Sequence, residues 1–340
     1  MNKRYVTLLA GFGQIAAGYA DDPLYSAHVS CPTHAHALKK HAGFDWRAVI
    51  DPQRSSLEKA RSRWGIGMVA SRLEELDCRE EIEVAVLATP PHSRLEIIEA
   101  LPALRAVFVE KPLARNLSEA RRLLDICRER EILVQVNITR RGDSVLRALA
   151  AGNSELGVGA PRAIFGVYGN GLVNMATHGV DLVRMLFGKV RTVRALGESR
   201  AFSAGPLSGD ISLAFMLTLE NGEFVAFSPL HFAEYREAGI DVWGERGRLQ
   251  LAQEGLVLLR ADAVPCRSFG SCNEVPSDHM RAHPTGYGEA LYAMYDNLYQ
   301  ALEWEVGLFC SGEEALETMR VIEAALESFR SGGTLIQLAA

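Results

Sequence analysis

Two short stretches of this chain carry polar side chains of the kind that hold a reacting oxygen and accept its proton. The first is Val109-Glu110-Lys111-Pro112, which ends the apolar run Ala106 to Val109. A lysine at the carboxyl end of a parallel strand lies on the edge where open α/β sheets bind ligands. Its ammonium could hold a substrate hydroxyl and stabilise the oxygen on which negative charge develops. The plainer alternative is a solvated lysine ahead of a proline that stops the strand. The second stretch is Asn174-Met175-Ala176-Thr177-His178-Gly179-Val180-Asp181, with Leu182, Met185, Leu186 and Phe187 following at helical spacing. Positions 174, 178 and 181 share one helix face. A histidine, with an ordinary pKa of about 6.5, suits acceptance of a hydroxyl proton as hydride leaves carbon, and Asp181 could fix the His178 tautomer. The alternative here is a helix N-terminus capped by Asn174 or Thr177 and a satisfied buried histidine.

Hydride chemistry needs a carrier, and Gly11-Phe12-Gly13-Gln14-Ile15-Ala16, directly after the apolar run Tyr5 to Ala10, reads as a strand turning tightly into a helix. Gly11 permits the turn, Gly13 lets backbone approach a pyrophosphate, and small Ala16 lets helix and strand pack closely. The unpaired N–H groups of that helix would face the phosphates. The next apolar run, Trp46 to Ile50, ends in Asp51, whose carboxylate could accept from the adenine ribose hydroxyls. That points to NAD, while Arg54 keeps NADP open by offering a guanidinium to a 2′-phosphate. Asp51 lies further from the glycines than the usual separation of about 20 residues, which an insertion between helix and strand would explain.

Those motifs need a frame, and composition allows two cores: 340 residues, 48% of them hydrophobic and 23% charged. A formal net charge of -6, with no basic cluster interleaved with aromatics, argues against nucleic acid as a partner. The apolar stretch after Met1-Asn2-Lys3-Arg4 is too short for a signal peptide or a membrane span, so the expectation is a cytoplasmic protein. The six cysteines form no Cys-x-x-Cys pair and imply no disulfide framework. His28, Cys31, His34, His36 and His41 match no standard zinc spacing, and no metal is expected.

Up to about residue 137, strand-like runs at 84–88, 106–109 and 133–136 alternate with helical stretches at 95–104 and after the Asn116/Glu119 capping pair. That alternation means a parallel sheet covered on both faces, a dinucleotide-binding domain over 1–137. Over 138–340 the runs 163–168, 190–196, 211–219, 223–232 and 240–243 follow one another without helices, which implies a mainly antiparallel, open sheet. Asn221-Gly222 predicts a two-residue type I′ hairpin. Residues 261–286 read as a long irregular loop. Two helices close the chain, one over 288–303 and one opened by Ser311 with Glu314 three residues on.

Taken together, these motifs resemble the Gfo/Idh/MocA family of oxidoreductases. The resemblance rests on the glycine turn, Asp51, Ala88-Thr89-Pro90-Pro91, Glu110-Lys111-Pro112, the His178/Asp181 helix start, Trp243-Gly244-Glu245-Arg246-Gly247 and Ser311-Gly312-Glu313-Glu314-Ala315-Leu316. It covers nearly the whole chain. It implies a Rossmann domain followed by an α/β domain whose open sheet makes homodimer or homotetramer contacts. It further implies hydride transfer between NAD(P) and a sugar, polyol or nucleotide sugar. Lys111 and His178 then become catalytic, assisted by Asn174 and Asp181. Gly11, Gly13, Gln14, Ile15, Asp51, Thr89, Pro90, His92, Glu110 and Lys111 would bind the cofactor. Asn174 stands where many members have an aspartate, and an amide cannot act as a base. Arg94 stands where the pattern has a histidine, a change expected to touch packing near the cofactor. The insertion and Gly169-Asn170-Gly171-Leu172 resemble a surface-polysaccharide or nucleotide-sugar subgroup. Asn137, Arg140, Arg141, His231 and Tyr235 are candidate substrate contacts, and Tyr287, Tyr292, Tyr295 and Tyr299 divide between core and interface. Two rival readings stay open: an NAD-binding sensor or scaffold without turnover, suggested by the lost aspartate, and a redox-neutral, NAD-dependent glycosidase.

Overall fold

The computed structural model describes residues 3–200, 207, 209–268 and 270–338. Tyr5–Ala10 (β1) is buried at all positions but one, as a strand covered on both faces must be. Around it lie Phe44–Ile50 (β2), Met68–Ala70 (β3), Val84–Leu87 (β4), Ala106–Glu110 (β5) and Leu133–Asn137 (β6). Their order is β3-β2-β1-β4-β5-β6, all parallel, the doubly wound arrangement of dinucleotide-binding folds. The short β3 carries too little apolar pattern to be legible from sequence.

The first helix departs from expectation. Gly13 to Ala17 make a single helical turn, with the Ala17 N–H donating to Gly13 O at 3.0 Å. Residues 17–33 then loop out through a 3-10 turn at Gly18–Asp21 and the short helix Pro23–His28 (α1). The helical ladder resumes across the gap. His34 N–H donates to Ile15 O at 3.2 Å and Ala35 N–H to Ala16 O at 2.9 Å, opening His34–Lys40 (α2). The insertion therefore interrupts the helix itself, and does not lie between helix and strand. Asp22 caps α1 by accepting from Leu24 and Tyr25 N–H.

Arg54–Trp64 (α3) ends at Gly65, whose φ of +70° suits a residue without Cβ. Arg94–Glu99 (α4) is shorter than predicted, because Pro102 disfavours helix at Leu101. Leu117–Glu129 (α5) starts as predicted, with Asn116 Oδ1 accepting from Glu119 N–H at 2.9 Å, and buries Ala120, Leu123, Leu124 and Cys127. Contacts divide the chain into a first unit of 1–142 plus 287–316 and a second of 143–286 plus 317–340. The division therefore does not follow chain order, since Tyr287–Trp304 (α8) packs with β6 and α2 of the first unit.

In the second unit, Ser144–Ala150 (α6), Thr177–Phe187 (α7) and most of Gly312–Arg330 (α9) accompany a nine-stranded sheet. Its strands are Pro161–Tyr168 (β7), Val190–Arg200 (β8), Ser212–Leu219 (β9), Phe224–Pro229 (β10), Gly239–Gly244 (β11), Gly247–Ala252 (β12), Val257–Asp262 (β13), Arg281–Pro284 (β16) and Ile336–Gln337 (β17). Val264–Pro265 (β14) and Asn273–Glu274 (β15) pair separately, so the predicted irregular loop over 261–286 contains three short strands. The large sheet is antiparallel except where β10 runs parallel to β7. The hairpin at Asn221-Gly222 has three loop residues. Gly222 N–H donates to Leu219 O at 3.0 Å, and only Gly222, at φ +92°, is left-handed. A type I′ turn would need positive φ at two positions, so this is the longer turn closed by a glycine.

Candidate functional site

Each unit presents its own set of polar side chains. In the first, β1 delivers the glycine turn. Gly11 has φ +82°, and a Cβ there would meet the Ala88 carbonyl, so only glycine fits. Gly13 faces open space, with nothing within 4 Å of the point where a Cβ would stand, which leaves its backbone approachable. Gln14 is exposed and Ile15 half-buried beside it. Asp51 leaves β2 with both carboxylate oxygens on backbone amides: Phe12 N–H donates to Oδ2 at 2.7 Å and Gln53 N–H to Oδ1 at 2.8 Å. The carboxylate thus pins the glycine turn to the β2 loop, and each oxygen keeps a further lone pair for a ligand. A cavity of about 240 Å³ opens beside them, lined by Phe12, Gly13, Gln14, Gln53, Ser55 and Ser56 together with Lys59 and Arg63 of α3.

Thr89 follows β4, and its hydroxyl oxygen is buried with no hydrogen-bond partner among the described residues. A buried hydroxyl left so is costly, and a polar group of a bound cofactor would satisfy it. Pro90 and His92 are exposed in the same loop. These features fit a dinucleotide: an approachable glycine turn, a carboxylate at the end of β2 and an unsatisfied hydroxyl after β4.

Glu110 and Lys111 leave the end of β5, where the Lys111–Pro112 peptide is cis. Sequence reading missed what holds Glu110. His34, fully buried at the start of α2, meets Glu110 Oε1 through Nε2 at 2.8 Å and the Tyr295 hydroxyl through Nδ1 at 2.7 Å. Asn137 Nδ2 donates to the same Oε1 at 2.5 Å, and the Thr139 hydroxyl donates to Asn137 Oδ1 at 2.9 Å. One proton on His34 Nε2 satisfies this chain throughout: Tyr295 donates to His34, and His34 donates to the carboxylate. Burial pushes the Glu110 pKa up, but the His34 and Asn137 hydrogen bonds and the neighbouring Lys111 charge outweigh it and hold the carboxyl below its usual range. Burial raises the Tyr295 phenol well above 10.0, so it stays a donor. Tyr295 stacks on Phe108 with ring centroids 4.6 Å apart.

Most of the other candidates make contacts within their own unit. Arg141 is buried against Glu314 at 2.8 Å and the Phe309 carbonyl, and Arg140 lies over the Tyr287 ring. Tyr299 is buried, Tyr292 is half-buried under Lys40, and His231 lies 3.7 Å from Glu234, while Tyr235 is exposed. Of the histidine and cysteine set near the N-terminus, His36 meets Thr33, His41 meets Asp296 and Cys31 is buried. Arg94, expected to affect packing, is almost wholly buried and among the described residues hydrogen-bonds only backbone carbonyls.

In the second unit, Asn174 does not lie in the regular helix that its spacing implied. Residues Leu172–Ala176 form a π-helical turn that runs into α7. The wider turn changes the facing of 174 relative to 178 and 181, and such turns recur at functional sites. Neither expected side chain caps it. Asp210 does, accepting from Val173 N–H at 3.0 Å and Asn174 N–H at 2.9 Å, while the Thr177 hydroxyl donates back to Val173 O. His178 is half-buried. Asp181 is buried, accepts from the Thr318 hydroxyl at 2.9 Å and lies 3.8 Å from Arg184.

Comparison with known proteins agrees with this layout. A model of an oxidoreductase family's NAD-binding Rossmann fold matches residues 29–138, and a model of that family's C-terminal alpha/beta domain matches residues 167–338. The first match begins near the end of the insertion, so the glycine turn lies outside it. D-apiose dehydrogenase of Paraburkholderia graminis is 23% identical over 89% of this chain and 85% of its own. Levoglucosan dehydrogenase, solved with NADH and levoglucosan, superposes at TM-score 0.75, with 18% identity over 99% of this chain and 100% of its own. The WlbA dehydrogenase of Bordetella pertussis, solved with NADH and UDP-GlcNAcA, gives 0.74, with 19% identity over 99% and 100%.

Proposed function

Since this chain belongs to the Gfo/Idh/MocA family of NAD-binding oxidoreductases, we propose that it transfers hydride between NAD and a hydroxyl or carbonyl carbon of a sugar, polyol or nucleotide sugar. NAD supplies the hydride acceptor, or in reverse the donor, at its nicotinamide ring. The reading rests on Glu110 and Lys111 at the carboxyl end of β5, where His34 and Asn137 hold the Glu110 carboxylate. Lys111 orients the substrate oxygen and stabilises its developing charge. His178 accepts the hydroxyl proton in oxidation and returns it in reduction, while Asn174 and Asp181 assist by positioning. Asn174 contributes hydrogen bonds only. Gly11, Gly13, Gln14, Ile15, Asp51, Thr89, Pro90, His92 and Glu110 hold the cofactor. NAD precedes NADP because Asp51 stands at the end of β2, and Arg54 is exposed in an ion pair with Glu58.

The outer face of the large sheet supports a homo-oligomer. Phe165 is 51% exposed and Trp243 37%, neighbours on β7 and β11, and the Arg248 guanidinium lies over the indole. Among the described residues no helix is long and apolar enough to cross a membrane, and a cytoplasmic location is part of this reading. Cell fractionation with an antibody to the chain checks it.

Titration of NADH and NADPH by fluorescence, followed by absorbance with myo-inositol, D-apiose, levoglucosan and UDP-sugars, tests the function. Saturable NADH binding and a substrate-dependent absorbance change are expected. Binding without change across the panel would shift the reading to a sensor or a redox-neutral enzyme.

A further inference from the structure

We propose that Arg94 is a positioning residue, locking the loop after β4 to the loop after β5 so that Lys111 is presented at a fixed place beside bound NAD. It rests on the reading of Lys111 as the lysine that meets substrate. Arg94 is 1% exposed and heads the largest fully buried side chains. Among the described residues no carboxylate lies within ion-pair distance of it, and all its hydrogen bonds go to backbone carbonyls. Nε and Nη2 donate to Thr89 O at 3.2 and 2.8 Å, while Nη1 donates to Leu113 O at 3.1 Å and to Pro112 O.

Burying a cation without a paired carboxylate is costly, and an apolar side chain would fill the volume without that cost. The guanidinium has what an apolar group lacks, a rigid plane with N–H groups on separate edges. One edge holds the loop carrying the unsatisfied Thr89 hydroxyl. The other holds the two residues that follow Lys111. Strands β4 and β5 are adjacent, with Leu87 paired to Val109, so both loops leave the sheet side by side and one side chain spans them. Burial pushes the guanidinium pKa down to about 10, partly offset by the Glu110 charge, and Arg94 remains charged at neutral pH. A lysine at 94 could hold one loop at a time, and a methionine neither. Misplacing a catalytic group by 1 Å is enough to lower a rate about 100-fold.

Full-length Arg94→Met, Arg94→Lys and Lys111→Ala proteins test this. Amide hydrogen exchange in peptides covering 88–93 and 110–116 is measured alongside NADH affinity. Also measured are kcat and KM with the fastest sugar among myo-inositol, D-apiose and levoglucosan. Arg94→Met should speed exchange about 10-fold in both loops together while leaving α5 unchanged. It should lower kcat roughly 30- to 100-fold, with NADH affinity within about threefold of wild type. Arg94→Lys should restore protection to one loop only, and serves if the methionine variant does not fold. Unchanged exchange in either loop of Arg94→Met, or a kcat within about threefold of wild type, overturns the proposal. Full turnover by Lys111→Ala would instead defeat the lysine assignment, and the exchange data would still report on the brace.

Discussion

Lys111 is the side chain on which the proposed chemistry turns, and its replacement gives the sharpest result. Lys111→Ala should lower turnover by about 10²- to 10³-fold, the usual cost of losing one donor to a developing oxyanion, with NADH affinity little changed. Steady-state rates with and without the substitution check this, and unaltered turnover would remove Lys111 from the mechanism. Its candidacy was legible in sequence because Glu110-Lys111-Pro112 closes a strand that periodicity already defines. His34 was not. Its partner Glu110 is 76 residues away, and only the packing of α2 and α8 against β5 and β6 puts imidazole, phenol and carboxylate in line. Asp210 was missed for the same reason, since it caps a turn 36 residues earlier in the chain.

At the scale of elements, the spliced first helix has a direct test. Removing Gly18 through Pro32 joins Ala17 to Thr33, so that His34 follows Ile15, and Ala35 follows Ala16, at the i to i+4 spacing of the hydrogen bonds already present. The shortened chain should fold with a continuous helix and bind NADH within about tenfold of wild type, since helix propagation is favourable once a turn exists. Circular dichroism and NADH fluorescence would show it. Failure to fold would mean that the insertion itself supports the unit, through contacts such as Asp21 with Arg63 and Ser30 with the Gly288 carbonyl. Sequence signalled an insertion by the distance from Gly13 to Asp51, but spacing alone does not tell an interrupted helix from a long loop. Caps are legible in the sequence at Asn116/Glu119 and Ser311/Glu314, because a cap is satisfied within a few residues.

For the whole molecule, burial sets an acid limit on stability. His36 and His41 have pKa values lowered from 6.5, in each case first by burial, so protonation is disfavoured in the fold. Their contribution is present above 6.5 and is lost as pH falls through the lowered values. Glu110, held below 4.5, adds stability present above 4.5 and lost as pH falls further. Thermal melting should therefore fall in two stages on acidification, the first beginning below 6.5, and Glu110→Gln should flatten the second. A melting temperature that rises on acidification would contradict the sign. Assembly is tested by light scattering. Phe165→Glu with Trp243→Glu should convert a homo-oligomer to monomers without loss of fold, because the two aromatic anchors are lost and two added carboxylates would have to be desolvated when the face is covered. A wild-type monomer at all concentrations would end the proposal for this surface.

Sequence alone determined that there are two sheets, that the first is parallel and where the glycine turn lies, because periodicity, caps and Gly or Pro positions act over a few residues. Tertiary structure decided the rest. It returned α8 to the first unit, wound the turn at Leu172–Ala176 as a π helix, spliced α2 onto Ala16, and placed Arg94 beneath both loops. Each of these depends on a hydrogen bond or packing contact between residues distant in the chain, and local residue preferences carry no record of such partners.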